Sequence, residues 1–244
     1  MQRISRLFGS WVFVALVVAL AATGFLVASA RVYGVGFPLD DAWIHQTYAR
    51  NLVALGEWAF IPGQPSAGST APLWSLALAF GYVLGLPPVV WAVLLGSLCL
   101  VGIACCGERI FRSQGGSASG IPWMGLFLAL EWHLVWAALS GMETPLYTLL
   151  ILAVFGGLCA PRPPWVWIGL AVGLSAWIRP DGITLLGPAL FLVYWQAKRG
   201  RARLADGLRV LAGFALFFAP YLVFNQALAG SWWPNTFYAK QAEY

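Results

Sequence analysis

A series of long apolar runs constrains what this chain can fold into more than any other feature. The chain is 60% hydrophobic and 9% charged, with a mean hydropathy of +0.76, so it has too few charges to cover a soluble surface. The sequence therefore predicts an all-α polytopic membrane protein, a bundle of transmembrane helices. The apolar runs lie at residues 7–30, 72–86, 89–106, 122–139, 146–158, 165–178, 183–195 and 210–229.

Several of these runs are shorter than the ~20 residues that cross a bilayer upright, which predicts a mixture of spans, kinked spans and re-entrant segments. The first run follows Arg3 and Arg6 and ends in Ala28-Ser29-Ala30, the small residues of a cleavable secretory signal. It is longer than the roughly 7–15 apolar residues of such a signal, and more apolar runs follow it. We therefore expect an uncleaved first span, with cleavage as the alternative.

The basic residues, which give a net charge of +5, are concentrated in two short loops. Cationic loops of membrane proteins lie in the cytoplasm, which explains these charges without a nucleic-acid partner. Both loops fall inside if the segment 72–86, bounded by prolines, does not cross the bilayer. The same topology places Asp40, Asp41 and the polar clusters 140–144, 179–182 and 234–240 on the outer face. Seven of the 14 basic residues lie in these two loops: Arg109 and Arg112 in one, and Lys198, Arg199, Arg201, Arg203 and Arg209 in the other.

The sequence offers few residues suited to metal binding or redox chemistry. The four cysteines lie in apolar runs without metal-type spacing, and there are two histidines. The adjacent Asp40 and Asp41 could bind a divalent cation, although two ligands do not make a site. No other cofactor is predicted.

The segment 36–52, GFPLDDAWIHQTYARNL, places two adjacent carboxylates before an amphipathic helix. Apolar residues recur at helical spacing and predict a helix that lies at the membrane interface, with polar residues elsewhere around the turn. The apolar residues are Ile44, Tyr48, Leu52 and Leu55, and the polar ones are His45, Gln46 and Arg50. Asp40 is placed to cap this helix. Capping does not explain Asp41, because neighbouring carboxylates repel each other, so the pair also suggests a catalytic base.

Further polar residues carry alternative interpretations. The turn-rich segment 60–74, FIPGQPSAGSTAPLW, is either a sugar-binding loop with hydroxyls and the Trp74 ring or an ordinary connection. Arg179 either pairs with Asp181 at a turn or grips a phosphate. Glu143 must lie at a span end or in a polar cavity, because a charge at the bilayer centre costs at least ~2.5 kcal/mol. Lys240 is a cation on the proposed outer face, where the charge rule gives no reason for it.

These motifs, taken in order, resemble the C-type (GT-C) superfamily of membrane glycosyltransferases, in particular its bacterial arabinofuranosyltransferase-like and mannosyltransferase-like branch. The resemblance extends from about residue 39 to the end of the chain. It is carried by Leu39-Asp40-Asp41-Ala42, Tyr48-Ala49-Arg50-Asn51-Leu52, Gly68-Ser69-Thr70-Ala71-Pro72-Leu73-Trp74, Ser140-Gly141-Met142-Glu143-Thr144, Arg179-Pro180-Asp181-Gly182 and Pro234-Asn235-Thr236-Phe237-Tyr238-Ala239-Lys240.

The resemblance implies a multi-pass enzyme of the plasma membrane with its active face outside the cytoplasm. Such an enzyme transfers a sugar from a polyprenyl-phosphate donor to a glycan, lipid or protein acceptor. One of Asp40 and Asp41 matches the catalytic base of the first external loop, residues 31–70. Arg179 and Lys240 become candidates for the donor phosphate, a role that rests mainly on their charge. Candidates for further substrate contacts are Glu143, Asp181, Asn235, Tyr238 and Trp74.

Two departures from the family pattern stand out. Ala71 occupies a position where the family commonly has serine, and family members are usually much longer. We therefore expect residues 1–244 to be one transmembrane domain, incomplete at its C-terminus. A lipid-linked sugar transporter or flippase, or a non-catalytic membrane protein on the same fold, are the alternative functions.

Overall fold

The computed structural model describes residues 2–32, 34–116 and 120–242, and the side chains of all of these except 2–10, 239, 240 and 242. The chain is 75% helical, which confirms the predicted helical fold class, and it adds one small β-hairpin. In chain order the elements are α1 (Gln2–Val32), α2 (Asp40–Leu55), β1 (Ala59–Ile61), β2 (Gln64–Pro65), α3 (Pro72–Val83), α4 (Pro88–Ser113), α5 (Trp123–Leu130), α6 (Trp132–Leu139), α7 (Thr144–Leu158), α8 (Trp165–Ser175), a 3₁₀ helix (Pro180–Leu185), α9 (Leu186–Lys198), α10 (Leu204–Ala229) and α11 (Asn235–Ala242).

Three helices of the described residues are long and apolar enough to cross a membrane. They are the Trp11–Val32 part of α1, with 22 residues, and α4 and α10, with 26 residues each. At a rise of about 1.5 Å per residue these lengths exceed the ~30 Å hydrocarbon core. By contrast, α3 has 12 residues and is about 18 Å long, too short to cross upright.

The apolar run 122–139 is not one continuous helix. It is divided at Glu131, whose backbone is extended between α5 and α6. The Glu131 carboxylate accepts a hydrogen bond from the backbone N–H of Leu134 at 2.9 Å and lies 2.6 Å from His133 Nδ1. The break follows from this chemistry, because a carboxylate that binds a free amide starts a new helix. A hydropathy average over the run conceals one acidic residue.

The chain forms two compact units. Unit 1 consists of Met1–Ala42 and Val89–Cys159, and unit 2 of Trp43–Pro88 and Ala160–Tyr244. The core of unit 1 joins α1 to α4, α5 and α6, through buried residues such as Val14, Val18, Leu100, Ala129 and Ala138. The first apolar helix is therefore part of this core, and whether it is cleaved stays a prediction.

Unit 2 is built around the close pair α8 and α10. Gly169 and Gly173 of α8 lie against backbone carbonyls of α10, so the two helix backbones are in direct contact. Beside this pair the Trp177 indole N–H donates to the Phe217 carbonyl at 2.8 Å, and its ring packs on Tyr221 and Phe224. The antiparallel hairpin β1–β2 and α3 belong to the same unit.

Candidate active site

The two adjacent aspartates begin α2, and both are exposed to solvent. The Asp41 backbone N–H donates to Asp40 Oδ1 at 3.0 Å, so Asp40 satisfies the amide of the next residue at the helix start. An N-cap side chain instead bonds the second or third amide of the helix, so the capping role of Asp40 stays a prediction. No described residue donates a hydrogen bond to the Asp41 carboxylate. The positive end of the helix dipole favours both charges. Asp41 is therefore the carboxylate that is available for proton transfer.

An apolar cavity of about 660 Å³ lies in unit 1, next to the aspartates in sequence. Its walls are residues of the C-terminal turns of α1, the loop 34–38 and the end of α6, including Trp136 and Leu139. The loop ends at Pro38, two residues before Asp40, which places the cavity wall within about 8 Å of the Asp40 backbone. The cavity has the size of a small-molecule site and a largely hydrocarbon lining.

The Ser140-Gly141-Met142-Glu143 motif meets the same loop within unit 1. Gly141 has a φ of +79° and packs so closely on the Phe37 ring that a Cβ there would overlap it. Ser140 lines the cavity with Phe37. The structure thus brings together two motifs that are a hundred residues apart in sequence. Glu143 is at the N-terminus of α7, a helix end as expected, but its side chain is only 3% exposed and does not face solvent.

The buried face of α2 differs from the sequence-based expectation. His45, Gln46 and Asn51 are buried together with Tyr48, whereas Leu55 is exposed. The periodicity was right for Tyr48 and for the exposed Arg50. It was wrong for His45 and Gln46, because each of these side chains finds a partner elsewhere in unit 2. The Asn51 side-chain amide, for example, donates to the carbonyls of Ala59 and Phe60 at 2.9 and 3.1 Å, which fixes the start of the hairpin.

His45 belongs to a buried network with two serines. His45 Nδ1 lies 3.1 Å from Ser69 Oγ and 3.3 Å from Ser75 Oγ, and the two hydroxyl oxygens are 2.9 Å apart. A histidine beside a serine is also the arrangement of an activated nucleophile. All three side chains are buried, however, and a nucleophile must reach its substrate. The network therefore holds the loop before α3 against α2.

Replacing His45 with alanine is expected to destabilise the protein by about 2 kcal/mol, because it leaves two buried hydroxyls without their shared partner. In a protein of this size that corresponds to a fall in melting temperature of about 4–8 °C, measured in detergent micelles. Thr47→Ala is the control on the same helix, since the Thr47 hydroxyl only bonds the Trp43 carbonyl one turn earlier. Equal melting temperatures for the two variants would contradict the role of the network.

The segment 60–74 uses the hydroxyls of both its serines internally. Ser66 Oγ lies 2.6 Å from the Tyr48 hydroxyl, which also accepts the Gly68 N–H at 3.0 Å, and Ser69 belongs to the His45 network. Trp74 is 1% exposed, so its ring packs in the interior and offers no open face to a sugar. These contacts favour the interpretation of this segment as a structural connection.

Backbone hydrogen bonds join the other motifs of unit 2 to this segment. The Leu73 N–H donates to the Trp177 carbonyl at 3.0 Å, and the Asn235 N–H donates to the Ala67 carbonyl at 3.2 Å. The motif 68–74 is thus bonded to the segment just before the motif 179–182, and the motif 234–240 to the residue just before the motif 68–74. The side chains of Asn235 and Tyr238 are exposed there.

The two cations that the sequence analysis assigned to the donor phosphate differ in what the structure describes of them. Arg179 Nε lies 3.2 Å from Asp181 Oδ1, so the local ion pair expected as one alternative is present, with both side chains partly exposed. The side chain of Lys240 lies outside the described residues. The phosphate-binding roles of Arg179 and Lys240 stay predictions. In the part of the chain that the structure describes, no group of three or more His, Cys, Asp or Glu residues could hold a metal ion.

Sequence reasoning missed the apolar cavity and the partners of His45 and Asn51. The cavity left no signal in the sequence, because its walls are ordinary apolar residues from three separate elements. The polar residues on α2 did leave a signal, since His45 and Asn51 recur with Tyr48 at helical spacing and each needs a partner when buried.

In comparisons with known proteins, no family model, no curated protein and no solved structure matches this chain.

Proposed function

We propose that this chain is a membrane glycosyltransferase of the C type, which transfers a sugar from a polyprenyl-phosphate donor to an acceptor hydroxyl outside the cytoplasm. One observation carries the proposal: an exposed carboxylate without a described donor, Asp41, follows directly on the loop that walls a 660 Å³ apolar cavity. A lipid-linked sugar needs both features, a polar reacting end and a place for hydrocarbon. The resemblance of the sequence motifs supports the same assignment.

In this proposal Asp41 acts as the general base. Its carboxylate takes the proton of the acceptor hydroxyl, and the hydroxyl oxygen attacks the anomeric carbon of the donor sugar. The bond from that carbon to the phosphate oxygen breaks, and its electron pair leaves with the polyprenyl phosphate. Because the phosphate is already a good leaving group, base catalysis and charge neutralisation at the phosphate are the main requirements.

The cavity would receive the first isoprene units of the donor. Its hydrocarbon walls at residues 25–32 and 34–38 match an apolar chain, since burying apolar surface contributes about 25 cal/mol per Å². Among the described residues of its walls, the hydroxyl side chains are those of Ser29 and Ser140, and an apolar cavity of this kind is poorly suited to a free sugar or a nucleotide. The proposal therefore names a lipid-linked donor.

The proposed enzyme is a multi-pass protein of the plasma membrane. Among the described residues, three helices are long and apolar enough to cross a membrane, which supports a membrane location. The positive-inside rule assigns the loops with Arg109 and Lys198 to the cytoplasm, which puts the aspartates on the opposite face. Acceptors on that face are glycans, lipids or proteins of the cell envelope.

A cavity-filling variant tests the proposal in proteoliposomes with a panel of radiolabelled polyprenyl-phosphate sugars. Ala28 lines the cavity, whereas Ala30 on the same helix does not. Ala28→Phe is expected to raise the KM for the donor about tenfold, which corresponds to ~1.4 kcal/mol of lost binding. Ala30→Phe, a matched change outside the cavity, should leave the KM unchanged.

Three results would contradict the proposal. If the wild-type protein transfers no sugar from any donor of the panel, the proposed activity is wrong. Movement of the donor across the bilayer without transfer would favour the transporter or flippase alternative. If transfer is intact and the donor KM values of Ala28→Phe and Ala30→Phe are equal, the protein catalyses the proposed reaction but the cavity does not bind the donor.

A further inference from the structure

A cluster of exposed cations joins α9 to α10. We call Lys198, Arg199, Arg201 and Arg203 the basic turn; all four are exposed. The nearby Asp206 bonds the Arg203 backbone N–H at 2.9 Å and forms an ion pair with Arg209. Among the described residues, no carboxylate pairs with the four side chains of the basic turn. The turn therefore carries four exposed positive charges, of which Arg203 is attracted electrostatically by the Asp206 carboxylate without forming an ion pair with it.

Two of these cations lie on aromatic rings one helical turn earlier. Lys198 Nζ is 4.8 Å from the centroid of the Tyr194 ring, and Arg199 Cζ is 3.7 Å from that of Trp195. Both rings are themselves substantially exposed. Tyr and Trp at the end of an apolar helix, with cations directly beyond them, are typical of the level at which hydrocarbon meets lipid headgroups.

Exposed apolar side chains border the basic turn on both helices. Phe191 on α9 and Leu204 and Leu208 on α10 are each at least 66% exposed. Such residues are unfavourable in water and favourable in a bilayer, into which α10 is long and apolar enough to extend. The cations thus lie at the rim of a surface that lipid would cover, within reach of lipid phosphates.

We propose that the basic turn binds the headgroups of anionic phospholipids. Arginine presents a planar fork of donors that matches phosphate oxygens, and the rings beneath Lys198 and Arg199 hold the cations at headgroup depth. Each cation near an anionic membrane surface adds to the attraction, so four together give a marked preference for anionic over zwitterionic lipid. This binding is independent of the proposed reaction.

The test titrates phosphatidylglycerol or phosphatidylcholine into the detergent-purified full chain and follows the melting temperature. We expect phosphatidylglycerol to stabilise the wild type at a concentration at least tenfold lower than phosphatidylcholine. The variant with Lys198→Gln, Arg199→Gln, Arg201→Gln and Arg203→Gln should lose most of this preference. A matched variant that keeps the charge, with Lys198→Arg, Arg199→Lys, Arg201→Lys and Arg203→Lys, should retain it.

The wild type alone also decides the question if the neutral variant does not fold. Its preference for phosphatidylglycerol should fall steeply between 0.1 and 1 M salt, across which the Debye length shrinks from about 10 to 3 Å. The proposal is overturned if both lipids stabilise the wild type equally or if the neutral variant keeps the preference. It is also overturned if inorganic phosphate at the same concentration reproduces the shift, or if a labelled oligonucleotide binds the turn and phosphatidylglycerol vesicles do not displace it.

Discussion

Asp41→Asn is expected to lower sugar transfer by a factor of about 10² to 10⁴, the usual contribution of a positioned general base. Asparagine keeps the size and helix-start preference of aspartate but cannot accept the acceptor's proton. The effect should appear in kcat with little change in donor KM, because a base acts mainly in the transition state. Initial rates of transfer from a labelled polyprenyl-phosphate sugar measure it.

Asp40→Asn should have a much smaller effect, less than about tenfold, because Asp40 serves the helix start and asparagine is an equally good capping residue. Glu57→Gln is a matched control, a carboxylate of the same predicted external loop whose side chain accepts the Gly63 N–H at 2.7 Å. If Asp40→Asn removes transfer and Asp41→Asn does not, the base is Asp40. If neither variant differs from Glu57→Gln, the aspartates do not catalyse the reaction.

The helical fold and the start of α2 were predictable because they depend on local sequence. Composition alone favours a bundle of apolar helices, and Pro38 followed by two aspartates marks where a helix can begin. The buried face of α2 was not predictable in the same way. His45 is buried because Ser69 and Ser75 come back to meet it from 24 and 30 residues further along the chain. Periodicity within one segment carries no information about such partners.

The candidate site was predictable only as a set of motifs. Their sequences indicated Asp40, Asp41 and the Ser140-Gly141-Met142-Glu143 cluster, but the contact between Gly141 and Phe37 needs the left-handed backbone of a glycine in a specific tertiary position. Trp74 shows the converse: its sequence context allowed a sugar-binding ring, and packing buries it. Cavities and burial result from how elements assemble, which one sequence does not encode in a local pattern.

The close pair α8 and α10 leads to a prediction of similar weight for stability. A Cβ at Gly169 would overlap the Val210 carbonyl oxygen, and one at Gly173 would overlap that of Phe214. From the other helix, a Cβ at Gly213 would lie 2.5 Å from the Val166 carbonyl oxygen. Gly169 and Gly173 form a small-xxx-small pattern, with which membrane helices let their backbones approach. Van der Waals packing is the main attraction between helices in lipid, so this contact contributes strongly to the stability of unit 2.

Gly169→Ala is therefore expected to destabilise the protein by about 3 kcal/mol, at the upper end of the cost of overpacking, because backbone rather than a flexible side chain must move. The melting temperature in detergent micelles should fall by about 6–12 °C. The same substitution at Gly24 or Gly187, where the added methyl meets nothing within 4 Å, should be neutral or stabilising by up to about 1 kcal/mol. The opposite sign separates packing from helix propensity, since alanine is the better helix former at every one of these positions. An unchanged melting temperature for Gly169→Ala would mean that α8 and α10 do not pack backbone to backbone.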